Sequence, residues 1–130
     1  MDGNVPDSEK IASLEKYAEA GNRHDIDGMM SVFTDDCVFY SSFGPDVFGT
    51  TYAGYDQVKE GLQSFLDLAG DGLWTDVRHF VGGDRGASEW TYIGTAPDGT
   101  KIEVDGCDIL TFRGNKVTVK NSFRKSRTSS

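Results

Sequence analysis

The sequence predicts an α+β fold in which three helices come first and pack on one face of a curved antiparallel sheet that follows. Two observations carry this expectation. Apolar residues recur at helical spacing in the first half, and from Trp74 onward the period switches to two. In the second half, Gly82-Gly83-Asp84, Pro97-Asp98-Gly99 and Arg113-Gly114-Asn115-Lys116 mark turns between alternating stretches, the pattern of a meander.

Each element has its own signal. Residues 1–7, with Gly3, Asn4 and Pro6, are expected to form a loose arm. Asp7 or Ser8 can cap a helix over 9–22, whose inward face carries Ile11, Leu14, Tyr17, Ala18 and Gly21. Asn22-Arg23-His24 is a short connection with His24 exposed, and Asp25 can cap a second helix over 26–34. Cys37–Ser41 is β-branched and aromatic, a short strand. Ser42–Gly54 reads as a long glycine-rich loop of the kind that rims a site. Val58, Leu62, Phe65, Leu66 and Ala69 restore helical spacing over 55–69, and Gly70 ends that helix. Strands are expected over 74–81, 86–95, 100–113 and 116–125, followed by a polar tail at 126–130. Residues 8–125 then make a single domain.

Composition narrows the function. A chain of 130 residues supports one core, and its net charge of −8 argues against nucleic acid and anionic membrane as partners. No apolar run approaches the roughly 18 residues of a membrane span, and MDGNVPDSE has no signal-peptide core, so a cytoplasmic protein is expected. Cys37 and Cys107 have neither metal-site nor CxxC spacing and are expected to be free thiols. There is no phosphate loop, no GxSxG elbow and no HExxH, and the histidines number only two. Neither a metal nor a cofactor is called for.

Candidate site residues come from alternation. In the strand around Val104–Phe112, Ile102, Val104, Gly106, Asp108, Leu110 and Phe112 share one face, and only Asp108 is charged. A buried carboxylate must find partners or stay protonated, in which form it donates a hydrogen bond; the alternative is a purely structural Asp. His79 shares a face with Thr75, Val77 and Val81 and titrates near neutrality, which suits acid–base work as well as it suits a core histidine. Trp90 and Tyr92 either wall a pocket or fill the core. Lys120, Ser122 and Arg124 alternate on the last strand and could hold a carboxylate or phosphate. Val117 and Val119 on the opposite face favour a solvated edge instead.

The order helix, helix, strand, helix, meander resembles the nuclear-transport-factor-2-like superfamily, in particular its SnoaL-like polyketide-cyclase and ketosteroid-isomerase branches. The likeness rests on Tyr17-Ala18-Glu19-Ala20-Gly21-Asn22-Arg23-His24-Asp25, Phe33-Thr34-Asp35-Asp36-Cys37-Val38, Glu89-Trp90-Thr91 and Gly106 through Val117. It implies a cone around an apolar pocket, commonly in a homodimer. It also implies that Tyr17 and a protonated Asp108 match the oxyanion-hole pair of ketosteroid isomerase, the worked case of an acid kept neutral at pH 7. The isomerase base falls on Ser41, which cannot take a ketone α-proton unaided. His79, or Asp105 if Gly106 introduces a bulge, would have to serve. The resemblance turns Lys120, Ser122 and Arg124 into the cavity, and Leu62, Phe65, Trp90, Tyr92 and Ser41 would complete a substrate pocket. The resulting expectation is a cofactor-independent proton-transfer enzyme (isomerase, cyclase or dehydratase) acting on a small apolar carbonyl compound. The alternative is a non-catalytic ligand-binding or dimerisation module. The outer sheet face, with Val117, Val119 and Phe123, is the expected dimer surface.

Overall fold

The computed structural model describes residues 5–128; residues 1–4 of the expected arm and 129–130 of the expected tail lie outside the described residues. The elements run α1 (Asp7–Asn22), α2 (Ile26–Met30), β1 (Phe33–Tyr40), β2 (Thr51–Ala53), α3 (Tyr55–Leu66), β3 (Leu73–Gly82), β4 (Arg85–Thr95), β5 (Lys101–Arg113) and β6 (Lys116–Arg124). The strands form one curved, open sheet in the order β2-β1-β6-β5-β4-β3. β3 to β6 are the predicted antiparallel meander. β1 joins it in parallel through β6, so the sheet is mixed rather than wholly antiparallel.

The helices cover one face of this sheet. Leu14 of α1, Met29 and Met30 of α2, and Val58, Leu62 and Leu66 of α3 meet Phe33, Phe39, Leu110, Phe112 and Val117 in a single core. The amphipathic stripe of α3 is what the spacing of its apolar residues dictates.

Several boundaries differ from expectation, each for a local reason. α1 starts at Asp7 itself, with Pro6 in the N-cap position and no capping side chain. α2 ends at Met30 because Val32 and Phe33 turn into the sheet, and β1 therefore begins at Phe33, not Cys37. The Asp25 cap is present, accepting from Gly28 N at 3.1 Å. The loop after β1 contains a short edge strand, β2, paired with Val38, Phe39 and Tyr40. His24 is not a free surface residue: its Nε2 lies 2.9 Å from Gly72 O. Beside it Asn22 brackets the Trp74 backbone, accepting from its N–H at 2.8 Å and donating to its carbonyl at 3.0 Å. These bonds pin the end of α1 to the start of β3.

Two bulges set which residues face inward. In β3, Asp76 takes a left-handed conformation (φ 50°), and pairing resumes out of step between Thr75 and Arg78. Asp tolerates that conformation better than most residues. Trp74 thereby joins Val77 and His79 on the inner face. In β6 the register shifts between Val117 and Val119, so that Val117 packs in the core on the same side as Lys120. Val117 is thus removed from the expected dimer face. Both cysteines are free; Cys37 is buried and Cys107 half-buried. Among the described residues no helix is long and apolar enough to cross a membrane.

Candidate functional site

Cross-strand register builds one polar row across the inner face. His79 lies opposite Ser88, Ser88 opposite Asp108, and Asp108 opposite Ser122, so four successive strands contribute one residue each. His79 Nδ1 lies 2.8 Å from Ser88 Oγ. Asp108 accepts from Ser122 Oγ at 2.7 Å, from Lys120 Nζ at 3.2 Å and from Trp90 Nε1 at 3.3 Å. Lys120 also donates to Ser122 Oγ at 2.8 Å.

Asp108 is therefore an acceptor facing three donors, where the resemblance implies a donating acid. The Lys120 and Asp108 side chains are each only 8 % exposed and form a buried ion pair. Such a pair is tolerated only when its remaining hydrogen-bonding capacity is met, as Ser122 and Trp90 do here. Lys120 Nζ also stands 4.8 Å from the centre of the Phe39 ring and 5.6 Å from that of Tyr17, which spreads its charge over two aromatic faces.

Gly106 makes the Trp90 contact possible. A Cβ there would stand 2.3 Å from the Trp90 ring and 2.5 Å from Phe123 O, so only glycine lets the indole lie across β5 toward Asp108.

The titratable groups are tuned by this enclosure. Burial pushes the Tyr17 hydroxyl up to about 12, with Lys120 opposing and Asp108 assisting, so Tyr17 keeps its proton at neutral pH. Burial works against the Lys120 charge, yet Asp108 and Tyr17 outweigh it and raise its pKa. Burial lowers the His79 pKa, with Glu15 and Asp108 opposing, which leaves a neutral imidazole at pH 7.

Tyr17, His79, Ser88, Asp108 and Lys120 line one cavity of about 40 Å³, otherwise walled by apolar residues such as Leu14, Trp74 and Leu110. A second chamber of about 30 Å³ shares Tyr17, Trp74, Trp90 and Lys120 with the first and adds Leu62, Phe65, Tyr92, Ser122 and Arg124. Either has room for water, but neither reaches the ~150 Å³ that accepts benzene.

Of the residues expected from sequence, Tyr17, His79 and Asp108 come together in the first chamber. Leu62, Phe65, Trp90, Tyr92, Ser122 and Arg124 line the second. Ser41 lines neither. Its hydroxyl donates to Phe43 O at 2.7 Å and accepts from Thr50 N at 3.2 Å, tying the loop together. Asp105 is exposed on the outer face and accepts from Thr91 Oγ1 at 2.7 Å. Gly106 introduces no bulge, since β4–β5 pairing is continuous through it. Neither residue lines this cavity. Lys120 and Ser122 do face inward, against the solvated-edge reading.

Ser88 and Trp74 went unrecognised in the sequence. Ser88 shares parity with Trp90 and Tyr92 and was open to the same alternation argument. Trp74 was hidden by the Asp76 bulge. Among the described residues no group of three His, Cys, Asp or Glu side chains could hold a metal ion.

Comparison with known proteins matches this architecture. A "putative polyketide cyclase" from Xanthomonas campestris pv. campestris superposes with a TM-score of 0.78 at 20 % identity, over 89 % of this chain and 90 % of that one. TerC, co-crystallised with polyporic acid, gives 0.75 at 22 % identity, over 90 % and 92 %. An NTF2-like protein of unknown function from Burkholderia pseudomallei gives 0.77 at 16 % identity, over 90 % and 91 %. At these identities the likeness is one of fold. A search among curated proteins gives no match. The SnoaL-like domain family matches residues 14–120, most of the chain and the polar row except Ser122, and the protein belongs to that family.

Proposed function

We propose that this protein is a cofactor-independent proton-transfer enzyme acting on a small, largely apolar carbonyl compound. The single observation that carries the reading is the shared chamber of a neutral imidazole, an un-ionised tyrosine and a buried ammonium. A carbonyl oxygen directed at Tyr17 would receive its hydroxyl proton as a hydrogen bond. Lys120 behind it would supply positive charge where the enolate oxygen develops. With Nδ1–H donating to Ser88, His79 would present the Nε2 lone pair to the α-proton. The imidazolium so formed is stabilised by the Asp108 charge, and it can return the proton to the same or a neighbouring carbon. Asp108 thus acts through Lys120 and His79.

The test is exchange of ketone α-protons for deuterium in D₂O, followed by NMR over a panel of aryl ketones that carry α-hydrogens. Polyporic acid, with which TerC was crystallised, has no α C–H to exchange and enters as a competing ligand. Loss of His79 as base should slow exchange roughly 10²–10⁴-fold. Exchange unchanged in both His79→Gln and Tyr17→Phe would overturn the reading.

A second reading, a binding module without catalysis, is favoured by one feature. At about 40 Å³ the closed chamber is too small for a ring, so binding requires its walls to move. Absence of exchange in a variant set that still binds ligand would select it.

The proposed setting is cytoplasmic, as a homodimer through the outer sheet face. There Phe80 and Phe123 remain 55 % and 50 % exposed. Sedimentation showing only a 14.2 kDa species at micromolar concentration would rule out the dimer.

A further inference from the structure

The second chamber has polar groups at its mouth that the proton-transfer chemistry leaves unused. Ser42 Oγ is buried and finds no hydrogen-bond partner among the described residues. Ser42 lines the same chamber as Phe65, Tyr92, Ser122 and Arg124. Ser42, Ser122 and Arg124 line the cleft outside as well, so they flank the passage between chamber and solvent. Native proteins rarely leave a buried hydroxyl unpaired unless something else satisfies it.

Charge in this region does not balance. Lys120 is matched by Asp108. Arg124 is half-buried, and no hydrogen bond or ion pair joins its guanidinium to another described residue. Its charge is felt at Tyr92, whose hydroxyl it favours ionising against the effect of burial. Lys120 and Arg124 line the second chamber and no carboxylate does, in a chain whose net charge is −8; Asp76, Glu89 and Asp105 lie with Arg124 along a separate outer cleft. Attraction for an anion here has to be local, and a guanidinium suits a carboxylate because its planar fork matches two oxygens.

We infer that Arg124 and Ser42 form a carboxylate subsite at the mouth of the second chamber, and that the ligand is a small aromatic acid. Its ring enters among Phe65 and Trp74 as the walls of that small chamber part, and its carboxylate stays at the mouth. This rests on the proposed site and narrows its substrate class.

The experiment is an NMR titration of the full chain with phenylacetate and with its neutral isostere phenylacetamide. The wild type should bind the acid roughly 10–100-fold more tightly than the amide, the range of a charge-assisted hydrogen-bonded contact. Arg124→Gln should bring that ratio close to one, chiefly by weakening the acid, and Ser42→Ala should reduce it in part. Equal affinities in the wild type would overturn the inference, as would failure of both probes to bind. A preference retained in Arg124→Gln would also overturn it and would assign the anion to Lys120. His79→Gln separates this from the proton-transfer reading, since it should lose α-proton exchange and keep the acid preference.

Discussion

Strand β5 carries two ion pairs that invite comparison. At its end, Arg113 holds Asp36 with two parallel bonds of 3.0 and 2.9 Å, and the two side chains are 52 % and 63 % exposed. Midway along, Asp108 meets Lys120 at 3.2 Å with each side chain 8 % exposed. The outer pair has the shorter contact and the better bidentate geometry. The inner pair has the greater consequence, because neither ion can turn to water when its partner is lost. Distance alone does not rank ion pairs; burial does.

The largest effects should follow from splitting the inner pair. Asp108→Ala strands an ammonium between the Tyr17 and Phe39 rings and should cost about 3–5 kcal/mol, read from urea denaturation by circular dichroism. Asp108→Asn should be milder, since the amide oxygen still accepts from Ser122. Replacing both members, Asp108→Leu with Lys120→Met, should return stability toward or above wild type. That variant should nevertheless lose α-proton exchange. A double variant as unstable as Asp108→Ala would show that the pair holds the fold together rather than serving the site.

Next in size is Gly106→Ala. The added methyl meets the Trp90 ring and Phe123 O at distances no real Cβ tolerates, so the indole must leave Asp108. Overpacking of this kind costs about 1–3 kcal/mol. A changed tryptophan emission spectrum should accompany the loss, and an unchanged one would mean that the sheet bends instead.

The same inner–outer contrast explains what the sequence made legible. Strict alternation placed Val104, Asp108, Leu110 and Phe112 correctly, because β5 pairs with β4 without interruption. It failed where the count slips. The Asp76 bulge brings Trp74 to the inner face, which strict alternation from His79 does not reveal, and the irregularity before Val119 made Val117 look external. That second slip obscured Lys120, the counter-ion of the one charge that alternation had singled out. β2 escaped notice because three residues are too few for any period. Ser41 lay at the matched position of a base, yet its hydroxyl is consumed by its own loop, which no spacing rule reveals. Pairing partners, unlike faces, are long-range facts.

A smaller effect separates His79 from the surface. Burial holds its pKa below the usual 6.5, so the unfolded chain binds the proton more readily than the folded one. The stability this contributes is complete above pH 6.5 and is lost as pH falls through the lower folded value. The difference in melting temperature between wild type and His79→Gln should therefore shrink as pH drops below that point. An NMR titration of the imidazole with a midpoint at or above 6.5 would contradict the argument.

The smallest effect should come from the outer pair. Arg113 holds the Asp36 carboxyl down to about 2, by hydrogen bonding first and with Thr34 assisting, although Asp36 is open to solvent. Its contribution is present above the ordinary carboxylate pKa near 3.8 and is lost as pH falls through about 2. Water and salt replace most of what the pair provides, so Asp36→Asn should shift the melting temperature less than any interior change above. Raising the ionic strength should erase even that shift. Asp108→Asn should keep its penalty in the same salt, because the inner pair is shielded from counter-ions. Melts of the two asparagine variants at low and high salt make the measurement. Equal salt sensitivity would mean that the inner pair is wetter than its burial implies, and the comparison on which the site rests would fail.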